Sequence, residues 1–234
     1  AAFAKNAYII CMTIKLNKDS NVTILAVPKG RILEELTPML DVCGIVPEDD
    51  FFSSKSRKLQ FKTNRQDLEI IRVRAFDVAT FVAYGAADIG VVGNDALEEF
   101  DYSELYSPID LKIGGCRLSV ACHNDDLDDI KSEGKSHIRI VTKYPNITKR
   151  YYGKLGVQAE CIKLNGAMEI APSLGLARRI VDLVSTGSTL KANNLTELET
   201  ILNVSSRLIV NRSSQKTRPA AINEWVNAFR RAVE

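Results

Sequence analysis

Short apolar runs that alternate with stretches of helical spacing constrain this chain more than any other feature. Residues 22–27 are apolar or β-branched throughout and end at Pro28-Lys29-Gly30, so they read as a buried strand. Ile32, Leu33, Leu36, Met39 and Leu40 then recur on one face of a helix. Further strands are expected at 68–73, 88–92, 118–122, 138–142, 159–164 and 180–184. Helices are expected at 77–84 with Asp77 as N-cap, just after 93, and at 145–154, 167–177 and 220–232. This alternation predicts an α/β fold with largely parallel sheets. At 234 residues the chain makes one large domain or two small ones, and it buries enough surface to fold without a disulfide or a metal.

Charge and cysteine content exclude several classes of function. The 31 basic residues nearly balance the 29 acidic ones, which gives no support to wholesale nucleic-acid wrapping. Cys11, Cys43, Cys116, Cys122 and Cys161 form no C-x-x-C pair, and His123 and His137 are the two histidines, so neither a zinc site nor a disulfide framework is expected. Free thiols point to a reducing compartment, the cytoplasm. No apolar run reaches the roughly 18–20 residues of a membrane span. The apolar stretch near the start is short and is followed by Lys15, Lys18 and Asp19, so residues 1–21 read as an extension and not as a signal peptide. The aspartates at 125, 126, 128 and 129 lack calcium-loop spacing and read as a solvated connection.

Three motifs suit phosphate. In the first, the strand at 180–184 runs into Ser185-Thr186-Gly187-Ser188-Thr189, where small hydroxyls and backbone N–H groups around a glycine can cradle an anion. Asp182, inside that strand, cannot enter a dry core uncompensated and is expected to project at the strand end toward a ligand hydroxyl or a metal-bound water. The alternative is a capping turn whose hydroxyls are satisfied locally. The second motif is Val27-Pro28-Lys29-Gly30-Arg31, which lacks the Walker A spacing. The third is the basic, serine-rich stretch Ser53-Ser-Lys55-Ser-Arg57-Lys58. Either of the last two alone could be a solvated loop, but three such sites favour a polyphosphate ligand. The glycines at 85, 90 and 93 form no dinucleotide fingerprint and are attributed mostly to tight turns.

The run Glu169, Gly175, Ala177, Ile180, Asp182, Leu183, Thr186, Gly187, Thr189, Leu190 resembles, at every spacing, the signature of the ATP phosphoribosyltransferase family. The likeness extends through residues 25–31, 56–58, 85–90, 110–113 and 205–210. One helix follows Arg212, so the chain is similar to the short form, which lacks the additional C-terminal histidine-sensing domain. The resemblance implies a two-lobed fold like a type II periplasmic binding protein with its site in the cleft. Lobe I would comprise 22–113 plus 212–234 and lobe II 114–211, with crossings near 111–115 and 210–212.

The same resemblance implies transfer of phosphoribosyl from phosphoribosyl pyrophosphate to N1 of ATP, the committed step of histidine biosynthesis. Arg31 and Arg57 would be catalytic, gripping the departing pyrophosphate because guanidinium groups fork and keep their charge. Thr186, Gly187, Ser188 and Thr189 would hold the 5′-phosphate, and Glu169 and Asp182 the ribose hydroxyls. Lys29, Gly30, Lys58 and Cys116 are expected in the substrate pocket, although Cys116 also suits a core or hinge position. Mg²⁺ would enter with the substrate, with no direct protein ligand. A homodimer within a hetero-oligomer is implied, its regulatory subunit similar to histidyl-tRNA synthetase, with no nucleic-acid or membrane partner. The competing readings are a phosphoribosyltransferase with another acceptor and a non-catalytic anion- or solute-binding protein.

Overall fold

A computed structural model describes residues 21–53, 55–132 and 136–234. Cys11 and residues 1–20 of the expected extension lie outside them. The first sheet contains β1 (Thr23–Pro28), β2 (Gln60–Lys62), β3 (Leu68–Val73), β4 (Ile89–Gly93) and β5 (Leu105–Asp110). The second contains β6 (Cys116–His123), β7 (His137–Thr142), β8 (Gln158–Lys163), β9 (Arg179–Val184) and β10 (Leu195–Val204). The next strand, β11 (Ser206–Asn211), returns to the first sheet. The helices are α1 (Arg31–Val42), α2 (Ala75–Ala83), α3 (Asn94–Phe100), α4 (Leu127–Ser132), α5 (Pro145–Lys154), α6 (Ser188–Ala192), α7 (Arg212–Thr217) and α8 (Pro219–Val233).

The strand orders are β2-β3-β1-β4-β11-β5 and β10-β6-β9-β7-β8. Each sheet has a parallel set of three strands, β3-β1-β4 within the first and β9-β7-β8 at one side of the second. The remaining pairs are antiparallel, so both sheets are mixed where largely parallel ones were expected. The second boundary also moves. β11 pairs with β4 and β5, which places the return crossing at Ser205 and not at 210–212. The two crossings are bonded to each other: the Leu111 N–H donates to Ser206 O and the Ser206 N–H to Ile113 O, each at 2.9 Å.

Packing follows the period-two alternation of the central strands. Leu25 and Val27 of β1 face the core shared with Leu36 and Leu40 of α1 and Ile222, Trp225 and Phe229 of α8. Ala26, between them, faces Val78, Ala79 and Val82 of α2. With both faces covered, β1 must be apolar throughout, which made it readable. Gly90 serves close packing and not a turn, since a Cβ there would lie 2.8 Å from both Val78 and Val82 side chains. In the second sheet Leu118, Val120, Ile140 and Val181 pack with Tyr144, Ile147 and Tyr152.

Two expected helices change. The expected helix at 167–177 shrinks to a 3-10 turn, Met168–Ile170, followed by further turns. Ala167 and Gly175 adopt positive φ, and Pro172 brings no N–H to a ladder. α2 begins at Ala75, with Arg74 at the N-cap, so Asp77 belongs to the first turn and is not the cap.

Candidate active site

The phosphate-type motif lies where β9 ends. After Val184 the chain passes through Ser185 and Thr186, turns at Gly187 with φ 78°, and enters α6 at Ser188. Glycine takes this left-handed turn without the penalty a Cβ would bring. The Thr186 and Ser188 hydroxyls lie 3.0 Å apart. A cavity of about 150 Å³ opens here, and Glu169, Asp182, Thr186, Gly187, Ser188 and Thr189 all line it. The six residues expected to contact the phosphoribosyl group are therefore brought together in one place.

Asp182 sits within β9, opposite Ser119, and not at the strand end. Its Oδ1 accepts from the Leu183 N–H at 2.8 Å. Burial pushes its carboxyl up to about 6; the Leu183 N–H and Lys143 oppose the rise, and Glu169 adds to it. Half-buried at the cavity, the carboxyl keeps acceptor capacity for a sugar hydroxyl.

Arg31 reaches the rim of this cavity from the other lobe. Its Nη1 donates to the Ser185 hydroxyl at 2.7 Å, and its Nη2 to Gly114 O at 3.2 Å. Glu35, one turn along α1, lies 3.5 Å from Arg31 Nε and accepts from the Gly114 N–H at 2.7 Å. Arg31 thus touches the first crossing and the base of the phosphate loop at once. Cys116, half-buried at the start of β6, neighbours the Arg31 guanidinium, and burial pushes its thiol up. Gly30 caps α1 at φ 85°, and exposed Lys29 anchors through its N–H to Val73 O.

The third motif is less engaged. Lys58 is ion-paired with Glu48 at 2.6 Å within its own lobe, which turns its charge away from the loop. Arg57 is exposed, and among the described residues it makes no bond to the phosphate loop. Register places it on the correct edge nevertheless. β2 runs antiparallel to β3, and the Arg72 N–H donates to Leu59 O, so residues 57–59 lie at the carboxyl end of β3 near Lys29.

Elements that the sequence did not flag complete the cleft. Carboxyl ends of parallel strands face each other across it, the usual ligand position in such sheets. The buried Tyr144 hydroxyl, just past β7, donates to Asp95 Oδ2 of α3 at 2.8 Å. Burial pushes that phenol well up. Glu99, one turn further along α3, accepts the Asn146 and Ile147 N–H groups at 3.0 Å and so caps α5. Lys143 lies 4.0 Å from the Phe76 ring centroid. Lys143 and Lys163 could have been found by asking which cations follow or close expected strands.

Two α/β lobes with a cavity lined by a hydroxyl-and-glycine loop between strand and helix place the chain in the class of two-lobed α/β proteins. The fold alone is shared with a Candida albicans protein described as having the generic periplasmic binding protein fold, 10% identical, with a TM-score of 0.56 over 90% of this chain and 70% of that one. The ATP phosphoribosyltransferase family profile matches residues 74–231. An ATP phosphoribosyltransferase from Rhizorhabdus wittichii is 62% identical over 90% of this chain and 96% of its own length. The structure of an ATP phosphoribosyl transferase (HisG:HisZ) complex from Thermotoga maritima superposes with a TM-score of 0.75 at 31% identity, covering 91% and 98% of the two chains. The chain belongs to the ATP phosphoribosyltransferase family.

Proposed function

We propose that the cleft binds phosphoribosyl pyrophosphate with its 5′-phosphate in the 186–189 loop and presents C1 to N1 of ATP. The observation that carries this reading is the convergence of Glu169, Asp182 and residues 186–189 on one cavity whose rim Arg31 reaches from the opposite lobe. The adenine N1 lone pair forms the new N–C bond as the C1–O bond breaks, and that electron pair leaves with pyrophosphate. C1 inverts, and phosphoribosyl-ATP results. N1 carries no proton, so no strong general base is required.

The difficulty is departure of a highly charged group while the ribose gains positive character. Glu169 and Asp182 hold the ribose hydroxyls, and their charge favours that oxocarbenium-like centre. Arg31 exchanges its Ser185 bond for pyrophosphate oxygens, and Arg57 closes on the same group from the neighbouring loop. Lys29, Gly30 and Cys116 border the donor. Mg²⁺ bound with the donor would neutralise pyrophosphate charge. With Glu169 and Asp182 given to the ribose hydroxyls, that cation would be held through the donor's own oxygens and water, as Mg²⁺ commonly is.

We further infer a cytoplasmic setting, supported by free thiols at Cys43, Cys116, Cys122 and Cys161. Among the described residues no helix is long and apolar enough to cross a membrane. A homodimer joined to a regulatory subunit similar to histidyl-tRNA synthetase is the assembly proposed, in keeping with the complex from Thermotoga maritima. The test is incubation with ATP, phosphoribosyl pyrophosphate and Mg²⁺, with and without that subunit. Equimolar phosphoribosyl-ATP and pyrophosphate are expected; no product in either mixture rejects the reading.

A further inference from the structure

We propose that Arg117, pinned by Glu197, is a positioning residue for the phosphate loop: it fixes the carbonyl of Ser185 so that residues 186–189 stand ready for the donor's 5′-phosphate. The inference rests on the donor site proposed above and deepens it. None of the three phosphate motifs contains either residue. Arg117 is the second residue of β6, and its register partner is Val184, the last residue of β9. The side chain therefore starts beside the point where β9 becomes the loop. Glu197 lies on β10, the edge strand that pairs with the other side of β6.

The guanidinium is aimed by its partner. Arg117 Nε and Nη2 donate to Glu197 Oε1 and Oε2 at 2.6 and 2.5 Å, a bidentate pair. The Arg117 hydrogen bonds hold the Glu197 carboxyl below the usual carboxylate range. With two nitrogens of a planar group fixed, the third has one direction left, and Nη1 donates to Ser185 O at 3.2 Å. The β10–β6 register shifts between Glu197 and Glu199, an irregularity of the kind that re-aims a side chain. Ser185 also accepts Arg31 Nη1 on its hydroxyl at 2.7 Å. One residue thus meets a guanidinium from each lobe. When Arg31 turns to pyrophosphate it gives up the hydroxyl, and the backbone bond to Arg117 keeps the loop in place.

Stability gives this pair a weak reason to exist. The Arg117 and Glu197 side chains are 35% and 26% exposed, and ion pairs open to solvent contribute little. β6 and β10 are already paired along their length by backbone bonds. What the pair adds is a fixed carbonyl at the residue that opens the loop. An anion site held in its bound shape spares the ordering cost that a mobile loop incurs on binding.

The test compares wild type with three variants. R117M removes charge and fork but keeps the apolar stem, R117K keeps the charge without the fork, and E197Q frees the arginine. Steady-state kinetics give KM for phosphoribosyl pyrophosphate and for ATP separately, and melting temperature is followed in parallel. Ribose 5-phosphate is titrated by calorimetry as a probe that needs no turnover. R117M should raise KM for phosphoribosyl pyrophosphate roughly tenfold, the worth of one charge-assisted hydrogen bond, and weaken ribose 5-phosphate binding alike. KM for ATP should hold, and the melting temperature should move by no more than a few degrees. R117K should resemble R117M, because an ammonium cannot grip Glu197 as a fork and reach Ser185 O at once. Adding E197Q to R117M should bring no further loss, since both act through one contact. Unchanged KM for phosphoribosyl pyrophosphate in R117M, a rise shared equally by both substrates, or wild-type behaviour of R117K overturns the assignment. Should the wild type make no phosphoribosyl-ATP with its regulatory subunit present, the parent reaction falls. The titration still decides Arg117: equal ribose 5-phosphate binding by wild type and R117M, or none by wild type, overturns it.

Discussion

The two sides of the cleft are built differently. On one, α3 is fastened to lobe II: Asp95 and Glu99 are 6% and 9% exposed, and both are satisfied by groups of the opposite lobe, Tyr144 and the first turn of α5. On the other, Lys29, Arg57, Arg74 and Lys163 are exposed, and among the described residues they form no ion pair. The fastened side contributes affinity between lobes, and the open side contributes charge for a ligand. The molecule therefore resists opening where its acids are buried and presents its cations where it is open.

Substitutions can break this division. The largest effect is expected on the open side. Arg57→Ala should lower kcat/KM by about 10²–10³ if its guanidinium meets the developing pyrophosphate charge. The melting temperature should not move, and a rate loss under about fivefold makes the residue peripheral. On the fastened side the signs exchange. Tyr144→Phe leaves a buried Asp95 oxygen without its donor and should cost about 1–3 kcal/mol in urea unfolding. KM for phosphoribosyl pyrophosphate should change little, and an unaltered unfolding midpoint would show that the latch carries no load.

Asp182 sharpens the contrast, because it lies in a fold strand yet serves the ligand. Its folded pKa, raised from 3.8 to about 6, means that the native state holds this proton more tightly than the unfolded chain. The stability it contributes is present below pH 3.8 and is lost as pH rises through about 6. Asp182→Asn should remove that loss and gain about 1–2 kcal/mol at pH 8, with turnover falling. The wild-type rate should decline on the acid side of about pH 6, where the carboxylate fills with protons. A variant as active as wild type, or less stable at pH 8, contradicts this. The smallest effect belongs to Lys58→Ala. With its charge spent on Glu48, turnover should stay within about twofold. A larger loss returns Lys58 to the pocket.

What could be read from the chain depended on whether the cause was local. Strand β1 announced itself because both faces are covered, and 186–189 because hydroxyls and a glycine directly follow an apolar strand. β10, with Glu197 and Glu199 in a half-exposed edge strand, carries no continuous apolar signal, and its pairing with β6 is set by tertiary structure. β11 is apolar, yet its membership in the first sheet depends on partners more than 90 residues earlier in the chain, so the second lobe boundary was misplaced. Apolar spacing at 167–177 suggested a helix that Pro172 and Gly175 forbid. A cavity lined by Arg74 of one lobe and by Lys143 and Lys163 of the other exists only once the lobes meet, and no stretch of sequence contains it.

The pair of connections between the lobes, at 111–115 and at Ser205, has a mechanical consequence. Because they run side by side and are hydrogen-bonded to each other, they act as one ribbon. Both covalent ties between the halves therefore sit at one place, and Arg31 spans that place by bonding the first connection at Gly114 and the second lobe at Ser185.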